Sequence, residues 1–193
     1  VAGHSLGEYT ALVSSGVISF EDCLRILKVR CNEMEKVNKK YQGSMLAILN
    51  DDIRLIESIC KKLKDTVIAN INSQNQIIIS GPVDQIDKSV ELLKESNIKK
   101  IVKLNVSGAF HSPLMREANV TLNKVINSVN FKDSNFALYQ NVYPNQIFDG
   151  EKIKENLKSQ LCGSVNWLQI IKNMKKNNID TIFEVGPKNV LSK

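Results

Sequence analysis

Between Ser44 and Val106 strand-like and helix-like patterns alternate in an order that few folds can use. Met45-Leu46-Ala47-Ile48-Leu49 is an apolar run of strand length, and Asp51 to Leu63 carries helical spacing. Thr66-Val67-Ile68-Ala69-Asn70-Ile71 reads as a strand, and Asn72 to Asn75 supply turn chemistry. Gln76-Ile77-Ile78-Ile79-Ser80-Gly81 reads as another strand. Pro82 suits the first turn of a helix that continues from Val83 to Ser96. Lys99 to Val106 closes as a strand, with Ile101, Val102 and Leu104 around Lys103. Strand, helix, strand, strand, helix, strand is the order of the ferredoxin-like split unit. Residues 44–106 are therefore expected to form a small subdomain inserted into something else.

Helical periodicity precedes the insert, from Tyr9 to Ser14 and from Phe20 to Lys36. In the second run Cys23, Leu24, Leu27, Cys31 and Met34 recur at three- and four-residue steps. Ser19 with Asp22 resembles a capping box with aspartate in place of glutamate, and Gln42-Gly43 breaks the pattern. After the insert the pattern reads as a loop (Ser107 to Ser112), a helix from Pro113 to about Val129 and a strand from Ala137 to Tyr143. Helices follow from Glu151 to Cys162 and from Asn166 to Lys176, then a buried strand Thr181-Ile182-Phe183-Glu184-Val185. Strands alternating with helices imply a parallel sheet. The expected fold class is thus α/β: a parallel-sheet, hydrolase-like core from residues 1–43 and 107–193, with the ferredoxin-like subdomain between them.

The chemistry concentrates at Gly3-His4-Ser5-Leu6-Gly7. Gly-x-Ser-x-Gly is the pattern of a nucleophile elbow, a sharp strand-to-helix turn that exposes a serine hydroxyl. The serine backbone is strained there, and side chains at Gly3 or Gly7 are expected to collide with neighbouring backbone. A serine needs a base, and the chain has only two histidines. His4 adjoins Ser5, so its side chain should point away from it. His111, in the loop Gly108-Ala109-Phe110-His111-Ser112, is the better base. No acid lies near His111 in sequence apart from Glu117, so a carbonyl or amide would have to orient the imidazole. Arg30 falls inside the second helix; its residues alone favour a surface arginine, and the competing use is a carboxylate clamp.

Composition excludes several classes. No apolar run approaches bilayer-spanning length, and nothing at the start reads as a secretory signal, so the chain is expected to be soluble. Because it opens inside a motif, any targeting segment would lie upstream. Cys23, Cys31, Cys60 and Cys162 show no metal-ligand spacing, so no metal site is expected and the thiols fit a reducing compartment. The formal charge is +6, but arginine is scarce and no basic stripe is interleaved with aromatics, which disfavours nucleic acid. The excess suits an acidic or phosphate-bearing partner.

Taken in order, GHSLGEYTALVSSGVISFEDCLRILKVRCNEM, VSGAFHSPLM, Gln160-Leu161 followed by Val165-x-Trp167, and EVGP resemble the malonyl-CoA:acyl-carrier-protein transacylases and the acyltransferase domains of polyketide synthases. The likeness spans the whole chain. It implies Ser5 as the acylated nucleophile, His111 as general base and acid, and Arg30 as the partner of the malonyl carboxylate. It implies that Gln160 orients the histidine and that the Leu6 N–H forms half of the oxyanion hole. Asn141, Met34 and Gln76 fall where the family lines its pocket, and Phe110 resembles malonyl-selective members. The implied partners are malonyl-CoA and acyl carrier protein, with no bound cofactor, no membrane and a monomeric state.

The family opens with a strand and a G-Q-G-S-Q loop that this chain lacks, so the chain reads as truncated at its N-terminus. A lean toward Lys and Asn fits an AT-rich genome, hence a plastid of the apicomplexan type or a bacterial cytoplasm, with the mitochondrion ranked below both. Two other readings stay open: a serine esterase or thioesterase of α/β-hydrolase type, and an inactive fragment that docks carrier protein. The esterase reading places an acid after the serine and the histidine near the C-terminus, and gives Arg30 nothing to do.

Overall fold

The computed structural model describes residues 1–50, 52–186 and 191. Two helices open it, α1 (Leu6–Ser14) and α2 (Phe20–Lys40). Ser19 caps α2, its Oγ accepting the Asp22 N–H at 3.0 Å, and Lys39 and Lys40 put positive charge on the last turn. The helix outruns its expected end at Lys36 because Val37 is buried in the core.

The next stretch keeps the expected element order: β1 (Gly43–Ile48), α3 (Ile53–Lys61), β2 (Val67–Ser73), β3 (Gln76–Pro82), α4 (Val83–Glu95) and β4 (Ile101–Lys103). Asp51, the expected helix start, lies outside the described residues; Asp52 caps α3 by accepting the Leu55 N–H at 2.9 Å. The four strands form one sheet in the order β2-β3-β1-β4, every pair antiparallel. The register pairs Leu46 with Ile79 and Ile48 with Ile77, and these residues pack with Ile56 and Ile59 of α3 and Ile86 and Leu93 of α4. Met45, Ala47, Ala69 and Ile78 form a separate cluster with Leu104 and Phe110. Burial on both faces explains why β1 reads as an unbroken apolar run rather than an alternation. β4 is shorter than expected, and Val102 and Lys103 sit exposed at the edge.

A 3₁₀ turn (Pro113–Met115) leads into α5 (Arg116–Asn127), which packs along α2. Two short strands follow, β5 (Leu138–Tyr139) and β6 (Gln146–Ile147), then α6 (Gly150–Leu157) and α7 (Trp167–Lys176). The main core joins Tyr9 and Leu12 of α1, Ile26 of α2, Leu122 and Ile126 of α5, and Leu157 and Leu161. A smaller cluster holds Tyr139, Val165, Trp167, Ile170 and Met174.

Two expectations change. The strand expected over Ala137–Tyr143 contracts to Leu138–Tyr139 and pairs antiparallel with β6. Among the described residues, parallel pairing is limited to the bridges Ala2 to Tyr139 and Asn70 to Val165, so the expected parallel core sheet is not assembled. The run Thr181–Val185 forms no strand, and Phe183 and Val185 are 84% and 95% exposed. Apolar pattern reports which side chains favour burial; it does not supply the neighbouring strand whose backbone groups must be paired.

Candidate active site

The turn from Ala2 into α1 has an uncommon backbone. Ser5 adopts φ 50° and ψ −105°, a conformation L side chains rarely take. A Cβ on Gly3 would fall 1.9 Å from the Gly7 carbonyl carbon and oxygen, so only glycine fits at position 3. A Cβ on Gly7 would meet nothing within 4 Å. The clash expected at both glycines thus exists at Gly3 alone, because the Gly7 backbone folds over it.

His111 also has a positive φ, 56°. The other described non-glycine residues with positive φ are Asp65, Asn97 and Asn178, whose side chains tolerate that region. Ser5 and His111 meet: the Ser5 hydroxyl lies 2.8 Å from His111 Nε2. On the other side of the ring, Nδ1 faces the carbonyls of Gln160 at 3.0 Å and Gly163 at 3.1 Å. Two acceptors place the proton on Nδ1, which leaves the Nε2 lone pair for the serine hydroxyl. Burial, reinforced by the Arg30 charge, pushes the imidazole pKa down to about 4 against the two carbonyls. At neutral pH His111 is a free base.

Arg30 is 5% exposed, so it is not the snorkelling surface arginine that its own neighbourhood in sequence favoured. Nη2 donates to Ser5 Oγ at 3.2 Å, the guanidinium lies 5.5 Å from the Tyr9 ring centroid, and buried Nε has no partner. A buried guanidinium with an unpaired N–H beside a serine hydroxyl is chemically able to receive a carboxylate. Asn141 braces the elbow: Oδ1 accepts the Ser5 N–H at 2.7 Å, and Nδ2 donates to the Gly3 carbonyl at 2.7 Å. Gln160 orients the histidine through its backbone carbonyl, and its side chain donates to the Ser5 carbonyl at 2.8 Å. Leu6 is the first residue of α1, where helix N–H groups lack internal acceptors, so its N–H is available beside Ser5.

A family model described as the acyl transferase domain matches residues 1–192. The chain belongs to the acyl transferase domain family. It is 38% identical over 194 residues to a malonyl CoA-acyl carrier protein transacylase of Staphylococcus aureus, covering 98% of this chain and 63% of that protein. The crystal structure of MCAT from Streptococcus pneumoniae superposes with a TM-score of 0.95 at 37% identity, covering 100% of this chain and 64% of that one. A malonyl-transacylase solved in complex with its type II PKS acyl-carrier protein superposes at 0.94 with 30% identity, covering 99% and 63%. The chain thus spans just under two thirds of the length of these relatives.

Two of the expected pocket residues of this acyl transferase domain stand further back. Met34 lies one turn beyond Arg30 on α2, partly buried against the main core. Gln76 opens β3, and its Oε1 accepts from Asn72 Nδ2 at 3.0 Å. Asn72 Oδ1 is in turn 2.9 Å from His4 Nε2, so Gln76 reaches the elbow only through those two side chains. His4 packs edge-on to Trp167, with centroids 5.7 Å apart, and points away from the Ser5–His111 pair as expected. Phe110 is partly buried between the main core and the Met45 cluster. Residue pattern alone missed Glu8, Gln140 and Gly163. Glu8 did carry a signal: it falls on the buried face of α1 with Leu12, four residues on, where an acid is out of place.

Proposed function

We propose that this chain carries the acyl-enzyme site of a malonyltransferase, moving malonyl from malonyl-CoA to the phosphopantetheine thiol of acyl carrier protein. The observation that carries the reading is the convergence of a buried, neutral His111 and a buried Arg30 guanidinium on one hydroxyl, Ser5 Oγ. In the first half-reaction His111 Nε2 takes the hydroxyl proton as Ser5 Oγ attacks the thioester carbonyl. The developing oxyanion is met by the Leu6 N–H. Collapse breaks the carbon–sulfur bond, and the CoA thiolate leaves with the proton from His111. In the second half the carrier thiol gives its proton to His111 and attacks the ester, and Ser5 recovers its hydrogen as the bond to Oγ breaks. Arg30 holds the malonyl carboxylate throughout and Phe110 disfavours an α-methyl branch. Met34, Gln76 and Asn141 shape and brace the pocket.

The transacylase names of the relatives and the carrier-bound structure support this choice of substrates, and the +6 charge suits an acidic carrier and the CoA phosphates. The fold reading is a hydrolase-like core contributed by residues 1–43 and 107–193, whose parallel pairing among the described residues is limited to isolated bridges, with a ferredoxin-like unit at 44–106. The sheet order β2-β3-β1-β4 supports the second part. An esterase leaves the buried Arg30 unused. Mass spectrometry after incubation with malonyl-CoA tests the proposal: a malonyl adduct on Ser5, passed on to carrier protein and absent in Ser5→Ala, is expected. Ester hydrolysis without malonyl transfer would contradict it.

A further inference from the structure

Glu8 is a carboxylate 1% exposed beneath the elbow, and the described ion pairs leave it out. Its oxygens are held by neutral donors. Oε2 accepts the Asn141 N–H at 3.0 Å and Gln160 Nε2 at 3.4 Å, and Oε1 accepts Gln140 Nε2 at 3.1 Å. Two of these donors belong to residues that work on the reacting pair. Asn141 holds the Ser5 N–H, and Gln160 holds His111 Nδ1 with its carbonyl and the Ser5 carbonyl with its side chain. Glu8 is the third residue of α1, where the helix N-terminus favours negative charge.

An amide in this place would not serve equally. It offers one acceptor oxygen, and its own NH₂ would face incoming N–H groups, leaving a buried donor unpaired. From this convergence we propose that the Glu8 carboxylate is a positioning residue. By anchoring Asn141 and Gln160 together it fixes the serine backbone and the imidazole in register. When ionised it thereby supplies, one residue removed from His111, the acceptor that a serine–histidine–acid arrangement places directly on the ring.

Burial raises the Glu8 pKa to about 7, against the three donors and the Arg30 charge. The titratable groups that interact with it are Tyr9 on its own helix and Arg30 on α2; His111 is reached through Gln160. Since His111 is already neutral above about 4, a limb near neutrality belongs to Glu8.

The inference rests on the acyl-transfer reading of the same site, so its test uses two reagents on the full-length protein. Malonyl transfer is measured from pH 5 to 9 for wild type, Glu8→Gln and Gln140→Ala, alongside the rate of Ser5 labelling by a fluorophosphonate, which needs no malonyl recognition. Expected is a single-proton rise near pH 7 in wild-type kcat. In Glu8→Gln that limb disappears, and kcat falls about ten- to a hundredfold, the size found for partners one step behind a metal-ligating histidine and less than the ~10⁴ for an acid directly on the ring. KM stays close to wild type because Arg30 is untouched. In Gln140→Ala, one donor to the carboxylate is lost and the limb moves to higher pH; this arm stands even if Glu8→Gln does not fold. A limb unmoved in Gln140→Ala, or unchanged rates and profile in folded Glu8→Gln, would overturn the role of Glu8. Labelling that follows the Glu8 pattern while malonyl transfer is absent in wild type would instead overturn the malonyl reading and leave Glu8 in place.

Discussion

The four-stranded unit and the elbow are held together in different ways. Strands β1 to β4 all pair within residues 43–103, β2 with the next strand β3 and β1 with β3 and β4, and α3 and α4 close Ile48, Ile77 and Ile79 into a core of their own. The elbow has almost no sheet around it. It is held by hydrogen bonds reaching across the chain: Asn141 to the Ser5 N–H, the His111 ring to the Gln160 carbonyl, the Gln160 amide to the Ser5 carbonyl, and the Gln140 amide to Glu8. One region is stabilised by area removed from water, the other by polar groups that satisfy each other where water is excluded. Stability should therefore reside mainly in the first and function mainly in the second.

The sharpest way to break that division is His111→Ala. It removes the proposed general base, so malonyl transfer should fall ~10²–10⁴-fold while the melting temperature stays near wild type. A large drop in melting temperature would show that the polar hub also carries the fold. Ile79→Ala tests the opposite half. Ile79 is fully buried in the split unit, and its truncation should destabilise by about 2–5 kcal/mol in a urea titration. Transfer per folded molecule should persist, and its loss would mean that the unit is coupled to the site.

A smaller effect distinguishes the two buried titrating groups. The His111 pKa sits near 4 against an ordinary 6.5, so between those values the unfolded chain takes up a proton the folded chain refuses, and stability falls with acidification. Glu8 sits near 7 against 4.5, so the folded chain keeps a proton the unfolded chain has released. Its contribution is present below pH 4.5 and is lost as pH rises to 7. The two oppose between pH 4.5 and 6.5. Urea midpoints should change little there for wild type and fall on acidification for Glu8→Gln; parallel profiles would contradict the Glu8 assignment, and a flat profile for Glu8→Gln would contradict that of His111. The least effect belongs to Glu117, exposed at the junction of α2 and α5, where Lys40 and Tyr41 donate to it. Glu117→Ala should leave melting and transfer close to wild type, because exposed pairs are screened by water and salt.

The same contrast decided what could be read from sequence. The order from β1 to β4 was legible because each strand and helix announces itself by local spacing, and all the strand partners fall within one continuous stretch of chain. Ser5 and His111 were legible from a short motif and a scarcity of histidines. Arg30 was misjudged from its own neighbours and corrected by the resemblance, since its burial depends on packing against Tyr9 and Ser5. Glu8 carried only the signal of an acid on the buried face of α1, and its role stayed hidden because its donors lie 132 to 152 residues away. Thr181–Val185 failed in the other direction: a strand-like pattern formed no strand.

The central claim is that a buried guanidinium selects a carboxylate-bearing acyl group for Ser5. Its most direct test compares Ser5 loading by malonyl-CoA and acetyl-CoA, read by intact mass, in wild type and Arg30→Ala. Wild type is expected to load malonyl far faster than acetyl. In Arg30→Ala malonyl loading should fall about ten- to a hundredfold, the worth of a charge-assisted pair, with acetyl loading little changed. Equal loss of both acyl groups would contradict the claim.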